Sequence, residues 1–168
     1  MKLPKTFAGK RTVNAVIETP RGSMNKFNYD ERTGLFKLGK VLPAGTVFPL
    51  DFGFIPGTKG DDGDPLDVML LMERTTYPGC MAECRIIGMI CIEEKKEKKK
   101  ERNDRYLAVP VESNDTSHIK DVRDMNENRL KEIVSFLEYY KKVDGADLKI
   151  LGIKGPKRSL AGIKKKLV

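Results

Sequence analysis

The stretch that decides the fold of this chain is Asp61-Asp62-Gly63-Asp64-Pro65-Leu66-Asp67, and it continues as Val68-Met69-Leu70-Leu71-Met72. Gly63 permits a sharp bend, and Pro65 restricts the backbone just before Asp67 opens the apolar run. The stretch therefore predicts an acidic turn that enters a buried strand. Two like charges about 5 Å apart repel by roughly 3 kcal/mol at an effective dielectric near 20, so this turn fits best around hard cations with oxygen ligands, magnesium first.

The acidic turn has two other interpretations, an EF-hand loop and a solvated turn that binds nothing. An EF-hand loop requires a fixed order of Asp or Asn, Gly and a final Glu, and no register of residues 61–72 satisfies that order. A solvated acidic turn that binds nothing remains the alternative to a metal site.

The length of 168 residues and the hydrophobic fraction of 39% predict one domain, residues 1–168, with a sizeable core. Residues 1–7 contain no apolar stretch long enough for a signal peptide, and no later stretch approaches the length of a membrane span. We therefore expect a cytoplasmic location and no membrane partner.

The cysteine content and the charge exclude little. Three cysteines and the single His118 lack the usual set of zinc ligands, so reduced structural thiols are expected. The cysteines are Cys80, Cys84 and Cys91. The net charge of +8 is compatible with nucleic acid or with phosphate compounds. Much of the excess lies in residues 95–102 and 164–166, which are typical of solvated surface, the first of them as an exposed hairpin tip.

Short apolar segments separated by Gly and Pro predict a chain of strands. They cover residues 12–18, 26–30, 35–38, 47–55, 68–72, 82–92, 106–111 and 148–153. Strands spaced this closely indicate a closed or nearly closed β-barrel.

Two helices are predicted after most of the strands. Apolar residues recur at helical spacing between Asn126 and a stop at Gly145, and we expect this helix to pack across the barrel. These residues are Leu130, Ile133, Val134, Leu137 and Tyr140. A shorter helix is predicted to begin at Ser159 as N-cap, with Leu160, Ile163 and Leu167 on one side.

The segment Asp62-Gly63-Asp64-Pro65-Leu66-Asp67-Val68 resembles the D-G-D-P-x-D-V motif of the family I soluble inorganic pyrophosphatases. Other segments resemble that family in the same order along the chain. They are residues 16–20, 26–30, 48–55, 108–110, 118–122 and 136–141. The resemblance implies an α+β fold, in which an OB-like five-stranded closed barrel is flanked by helices. It also implies hydrolysis of pyrophosphate to two phosphates with several Mg²⁺ ions, and a homo-oligomer, a hexamer at this length.

The same resemblance implies a role for each site residue. Asp62 and Asp67 would bind magnesium, and Asp64 would help to deprotonate the attacking water. Further metal ligands would be Asp104 or Asn103, and Glu93 or Glu94. Lys26, Lys40, Tyr140 and Lys141 would bind the phosphates. Glu18, Asn28, Phe48 and Phe52 would line the cavity.

Several positions depart from the family pattern. Asn28 stands where the family has a glutamate, and Lys40 where it has an arginine. Phe48 and Phe52 stand where tyrosines are usual. Where the family has Asp-x-Lys, this chain has Asn103-Asp104-Arg105. Counting back from residues 108–110 puts Asn103 at the metal-ligand position. A one-residue shift of the loop would instead present Asp104.

These departures leave two alternatives to an active pyrophosphatase. One is a catalytically impaired homologue that binds pyrophosphate or another phosphate compound. The other is an OB-like protein that binds nucleic acid. The second is disfavoured because the chain has no Trp, and most of its Phe residues fall at motif or core positions, so that exposed stacking platforms are lacking.

Overall fold

The structure, a computed structural model, describes residues 3–168, except that the side chain of Lys96 is not described. Met1 and Lys2, which belong to the predicted start and to the predicted domain 1–168, lie outside the described residues. The strands are β1 (Thr12–Thr19), β2 (Asn25–Asp30), β3 (Leu35–Val41), β4 (Asp51–Ile55), β5 (Leu66–Leu70), β6 (Met81–Lys96), β7 (Lys99–Arg102), β8 (Arg105–Pro110) and β9 (Asp147–Lys154). The helices are α1 (Glu127–Val143) and α2 (Pro156–Lys165).

Five strands form a ring. Their order is β1-β4-β5-β8-β6, and β6 pairs again with β1. The β5–β8 pair is parallel, whereas the other pairs of the ring are antiparallel. Strand β6 has 16 residues and extends to pair with β7 and β9, while β2 and β3 form a separate hairpin. The predicted α+β, OB-like fold with flanking helices is confirmed.

The apolar run after the acidic turn is buried on both faces of the sheet. Val68 and Leu70 join a cluster that includes Ile163 of α2, whereas Met69 joins a second cluster that includes Ile133 of α1. Because successive residues of a strand point to opposite faces, a strand covered on both sides needs apolar residues throughout. The run therefore lacks the alternation of a half-exposed strand.

Helix α1 agrees with the prediction at both ends. The Asn126 side chain accepts hydrogen bonds from the backbone N–H groups of Asn128 and Arg129, as an N-cap does. Gly145 adopts a φ of 71°, a left-handed conformation that suits the chain just after a helix. The predicted stripe is buried at Ile133, Leu137 and Tyr140.

Helix α2 begins earlier than predicted, and the assignment of Ser159 as its N-cap is wrong. The N-cap is Gly155, and Pro156 occupies the first helical turn, where its missing N–H and fixed φ are tolerated. Ser159 is fully buried, and its hydroxyl donates to the Gly155 carbonyl 2.9 Å away. Leu167 lies beyond the helix and forms a β-bridge with Thr58.

One strand prediction is refined, and the predicted hairpin is confirmed. The segment predicted as a strand from residue 47 becomes strand only at Asp51. The lysine-rich run does form a hairpin, because β6 pairs with β7 on either side of a turn, as predicted. Along the described residues 3–168, no helix is long and apolar enough to cross a membrane.

Candidate active site

The acidic turn between β4 and β5 is held by local hydrogen bonds. The Asp62 carboxylate accepts from the Asp64 backbone N–H at 3.1 Å, and the Gly60 N–H donates to the Asp64 carbonyl at 2.7 Å. Gly63 has a φ of 93°, a backbone conformation that residues other than glycine rarely adopt. These hydrogen bonds and the bend at Gly63 fix the shape of the turn.

The far side of the same turn is attached to the C-terminal segment. Asp61 forms an ion pair with Lys166, and the Lys59 N–H donates to the Lys166 carbonyl at 2.8 Å. At the base of the turn, the Thr58 hydroxyl donates to the Ile55 carbonyl at 2.6 Å and accepts from the Leu66 N–H at 3.0 Å. These bonds hold the end of β4 close to the start of β5.

A cavity of about 560 Å³ opens beside the turn. It is bounded by the acidic turn, by β1, β2 and β4, by the start of β8 and by the end of α1. The predicted residues that line it are Glu18, Lys26, Asn28, Phe52, Asp62, Asp64, Asp67, Asn103, Tyr140 and Lys141. Residues from both halves of the sequence therefore meet here.

A largely buried ion pair also lines the cavity. The Lys26 ammonium lies 3.8 Å from a Glu18 carboxylate oxygen, and the other oxygen accepts from the Tyr29 N–H at 2.6 Å. Burial raises the pKa of Glu18 above its ordinary value and lowers the pKa of Lys26 below its ordinary value. The opposite charge of the partner acts against each shift, but its effect is smaller than that of burial. Burial likewise raises the pKa of Asp62.

Tyr140 lies where its stripe on α1 predicted. Its ring contacts Phe48 and Phe136, with centroids 5.7 and 5.6 Å away, and its side chain also faces the cavity. Burial raises the pKa of Tyr140, so the phenol remains neutral and can donate a hydrogen bond. The neighbouring Lys141 pairs with Glu94 at 2.7 Å.

The structure distinguishes the two pairs of alternative metal ligands. Asn103 lines the cavity, whereas Asp104 turns away and accepts a hydrogen bond from the Ile92 N–H at 2.9 Å. Glu93 pairs with Lys100 at 3.4 Å and Glu94 pairs with Arg105 at 3.1 Å; neither glutamate lines the cavity, although Arg105 does. Adjacent residues of an extended segment point in opposite directions, so only one member of each pair can face the site.

Two further predicted residues lie outside the cavity, which corrects their expected location. The Lys40 ammonium pairs with Asp144 at 2.6 Å, lies 3.7 Å from the centre of the Tyr140 ring and does not line the cavity. Phe48 is 1% exposed and packs in the core next to Phe52 and Phe136. Both residues support Tyr140 or Phe52 and do not line the cavity themselves.

Sequence reasoning did not assign Arg105 to the site. This residue is 3% exposed, lines the cavity and lies 2.7 Å from an Asp67 oxygen and 3.1 Å from a Glu94 oxygen. Its position two residues after Asn103, where the family pattern has a lysine, could have indicated that Arg105 belongs to the site. Tyr29, Glu31 and Phe54 also line the cavity and were not predicted.

The carboxylates that line the cavity suit a hard cation that keeps part of its water shell. Among residues 3–168, no three His, Cys, Asp or Glu side chains are grouped closely enough to hold one ion. Magnesium usually takes only one or two protein carboxylates and fills its other positions with water and substrate phosphate. Asp62 and Asp67, which line the same cavity, meet that requirement.

A larger open depression of about 890 Å³ lies elsewhere on the surface. It includes Arg21, Phe48, His118 and Arg129, and none of the aspartates of the acidic turn lines it. The Arg129 guanidinium donates to the Pro49 carbonyl at 2.7 Å, so one of its donors is used to hold a loop. The smaller cavity is therefore the better candidate for chemistry.

Comparisons with known proteins agree with this geometry. A family model described as inorganic pyrophosphatase matches residues 15–167. An inorganic pyrophosphatase of Synechocystis sp. is 38% identical over 142 residues, which cover 84% of this chain and 82% of that protein. One of Thermus thermophilus is 36% identical over 165 residues, which cover 96% and 92%.

Solved structures show the same likeness. The crystal structure of the inorganic pyrophosphatase from Thermus thermophilus has a TM-score of 0.88 over 96% of this chain and 92% of that one, at 36% identity. An inorganic pyrophosphatase from Coxiella burnetii has a TM-score of 0.89 at 26% identity, with 97% of each chain covered. The similarity therefore extends over nearly the whole chain.

Proposed function

The chain belongs to the inorganic pyrophosphatase family, whose members are metal-dependent hydrolases that cleave pyrophosphate to two phosphates, and from this premise we propose how its own residues carry out that reaction. We assign Mg²⁺ binding to Asp62 and Asp67, with Asn103 and Glu94 beside them. We assign proton acceptance to Asp64. Lys26, Tyr140 and Lys141 bind the phosphates.

One observation supports this assignment most strongly. A single cavity is lined by three of the four carboxylates of the acidic turn, Asp62, Asp64 and Asp67, and also by Lys26, Tyr140 and Lys141. Pyrophosphate is a compact polyanion that carries hard cations with it, so it needs carboxylates for the cations and positive donors for its own oxygens. Nucleic-acid binding would require exposed aromatic platforms, and the Phe and Tyr rings here are largely packed against one another.

The proposed chemistry follows from the positions of these groups. A bound divalent cation lowers the pKa of a coordinated water and withdraws charge from phosphate oxygens. The Asp64 carboxylate, next to Asp62 in the turn, accepts the proton that the attacking water loses. Lys26 and Lys141 neutralise charge that develops on the phosphates, and the neutral Tyr140 phenol donates a hydrogen bond to a phosphate oxygen. Phe52 contributes a nonpolar wall and no donor.

Several broader assignments rest on the family and on the sequence. We propose that Mg²⁺ is the metal, that residues 1–168 act as one domain in the cytoplasm, and that the chain forms a homo-oligomer, a hexamer by resemblance. The catalytically impaired alternative is not favoured, because the acidic turn and the cavity lysines that the reaction requires are present.

Removal of the metal gives the direct test of the proposed function. We expect phosphate release from pyrophosphate in the presence of Mg²⁺, loss of release on addition of a chelator, and recovery when Mg²⁺ is restored. A colorimetric phosphate assay measures all three. Folded protein that releases no phosphate at any Mg²⁺ concentration would contradict hydrolysis, and calorimetric binding of pyrophosphate in that case would support the impaired alternative.

A Phe52→Tyr substitution tests whether the missing hydroxyl limits the rate. Phe52 lines the cavity and its ring lies 4.7 Å from the Lys26 ammonium, so a phenol here can reach the substrate. A hydrogen bond to a charged group is worth roughly 1.5–3 kcal/mol, so kcat/KM should rise by about 10- to 150-fold. Phe48→Tyr is the matched control, because Phe48 lies outside the cavity. Equal effects of the two substitutions would argue against this role.

A further inference from the structure

Arg105 occupies an unusual place in the candidate active site. Its side chain is 3% exposed, and its guanidinium lies between Asp67 of β5 and Glu94 of β6. One terminal nitrogen also donates to the Asn103 carbonyl at 2.9 Å and contacts the Asn103 side-chain oxygen. The guanidinium therefore joins two strands and the loop between β7 and β8.

This guanidinium takes up the carboxylate oxygens that a metal ion between Asp67 and Glu94 would need. Arg105 contacts one oxygen of Asp67 and one oxygen of Glu94, and Lys141 contacts the other oxygen of Glu94 at 2.7 Å. Arginine stays protonated at every ordinary pH, so its charge cannot be lost to make room for another cation. A divalent ion could bridge these two carboxylates only by displacing a buried, multiply bonded side chain.

The chemistry of the neighbouring residues supports the same conclusion. Asn28 and Asn103 both line the cavity, and both are neutral amides. Each carboxylate contributes to the attraction of a site for divalent cations, so this part of the cavity attracts them less than the acidic turn does. Among the described residues, the buried Nε atom of Arg105 has no hydrogen-bond partner, so the side chain is held by the charge contacts of its terminal nitrogens.

We propose that Arg105 is a built-in cation that takes the place of one divalent ion between Asp67 and Glu94. This inference rests on the proposed metal-dependent function, and it concerns how many ions the site holds. The remaining ions bind on the side of the acidic turn, where the second oxygen of Asp67 and the carboxylates of Asp62 and Asp64 are available. Arg105 thus positions Asp67 and sets the metal stoichiometry.

Metal binding in the absence of substrate tests the proposal. The number of Mn²⁺ ions bound per chain can be counted by the loss of the free-Mn²⁺ electron paramagnetic resonance signal. We expect Arg105→Met to bind one more Mn²⁺ per chain than the unchanged protein, because the substitution frees Asp67 and Glu94. We also expect Mn²⁺ to raise the melting temperature of Arg105→Met by more than that of the unchanged protein.

Arg102→Met is the matched control. Arg102 lies three residues earlier, pairs with Asp104 and has a 41% exposed side chain outside the cavity. Its Mn²⁺ count should equal that of the unchanged protein. If Arg105→Met does not fold, Arg105→Gln replaces it, because the amide can keep a polar contact with Asn103 but carries no charge, and the same gain of one ion is expected.

The possible results separate this inference from the proposed function. Equal Mn²⁺ counts in the unchanged protein and in the folded Arg105 variant would overturn the inference, even if pyrophosphate is hydrolysed. An extra ion in the Arg105 variant would support it, even if the unchanged protein releases no phosphate.

Discussion

An Asp67→Asn variant should release phosphate from pyrophosphate about 100- to 1,000-fold more slowly than the unchanged chain. Asp67 lies at the start of β5, lines the cavity and carries one of the two carboxylates assigned to magnesium. The amide keeps the shape of the side chain but removes its charge, so both the attraction for the cation and the activation of water decline. The measurement is kcat and KM at saturating Mg²⁺.

Asp61→Asn is the matched control for this substitution. Asp61 belongs to the same acidic turn, but it pairs with Lys166 and does not line the cavity. A surface ion pair contributes little to stability, so this variant should keep its activity within about twofold. The assignment of Asp67 would be refuted if both variants retained full activity, or if both lost it to the same extent while remaining folded.

A Gly53→Ala variant should be less stable by about 3 kcal/mol, which corresponds to a urea midpoint lowered by about 1–2 M. Gly53 is in the centre of β4, opposite Ile17 of β1. A Cβ atom there would lie 2.0 Å from the Val16 carbonyl oxygen and 2.9 Å from the Ile17 Cα. Both atoms belong to the backbone of a ring strand, so neither can move without disturbing the sheet.

The control for Gly53 is a glycine with free space around it. Gly45 has a φ of 82°, and a Cβ atom there would meet no atom of the described residues within 4 Å. Asn tolerates this conformation better than most residues, so Gly45→Asn should change the free energy of unfolding by no more than about 0.5 kcal/mol. A Gly53→Ala midpoint as high as that of Gly45→Asn would show that the β1–β4 contact is looser than the structure indicates.

The elements with strong local patterns were predictable from the sequence. Helix α1 was predicted because its apolar stripe, its Asn126 cap and its Gly145 stop all act within a few residues. The start of α2 was predicted wrongly, because Ser159 is a good cap in isolation whereas the chain uses Pro156 and buries Ser159. Burial depends on what packs above a residue, and local sequence does not contain that information.

The site residues also divide into those whose location was predictable from the sequence and those whose location depends on tertiary contacts. The acidic turn was predicted to share a cavity with Lys26 and Lys141, and both lysines line the same cavity as three of its aspartates. The outward turn of Asp104, the pairing of Lys40 with Asp144 and the burial of Phe48 were not predictable, because each depends on a contact made across the fold. The chemical roles of the cavity residues remain predictions.

What the sequence alone determined is the kind of chemistry and the fold class: its acidic motif, in order with the other segments, identified the family. Only the tertiary structure decided which side chains face the cavity, and it showed that Arg105 lies between Asp67 and Glu94. The physical reason is distance along the chain. Residue type and short-range spacing act locally, whereas an ion pair between β5, β6 and β8 exists only after those strands have paired.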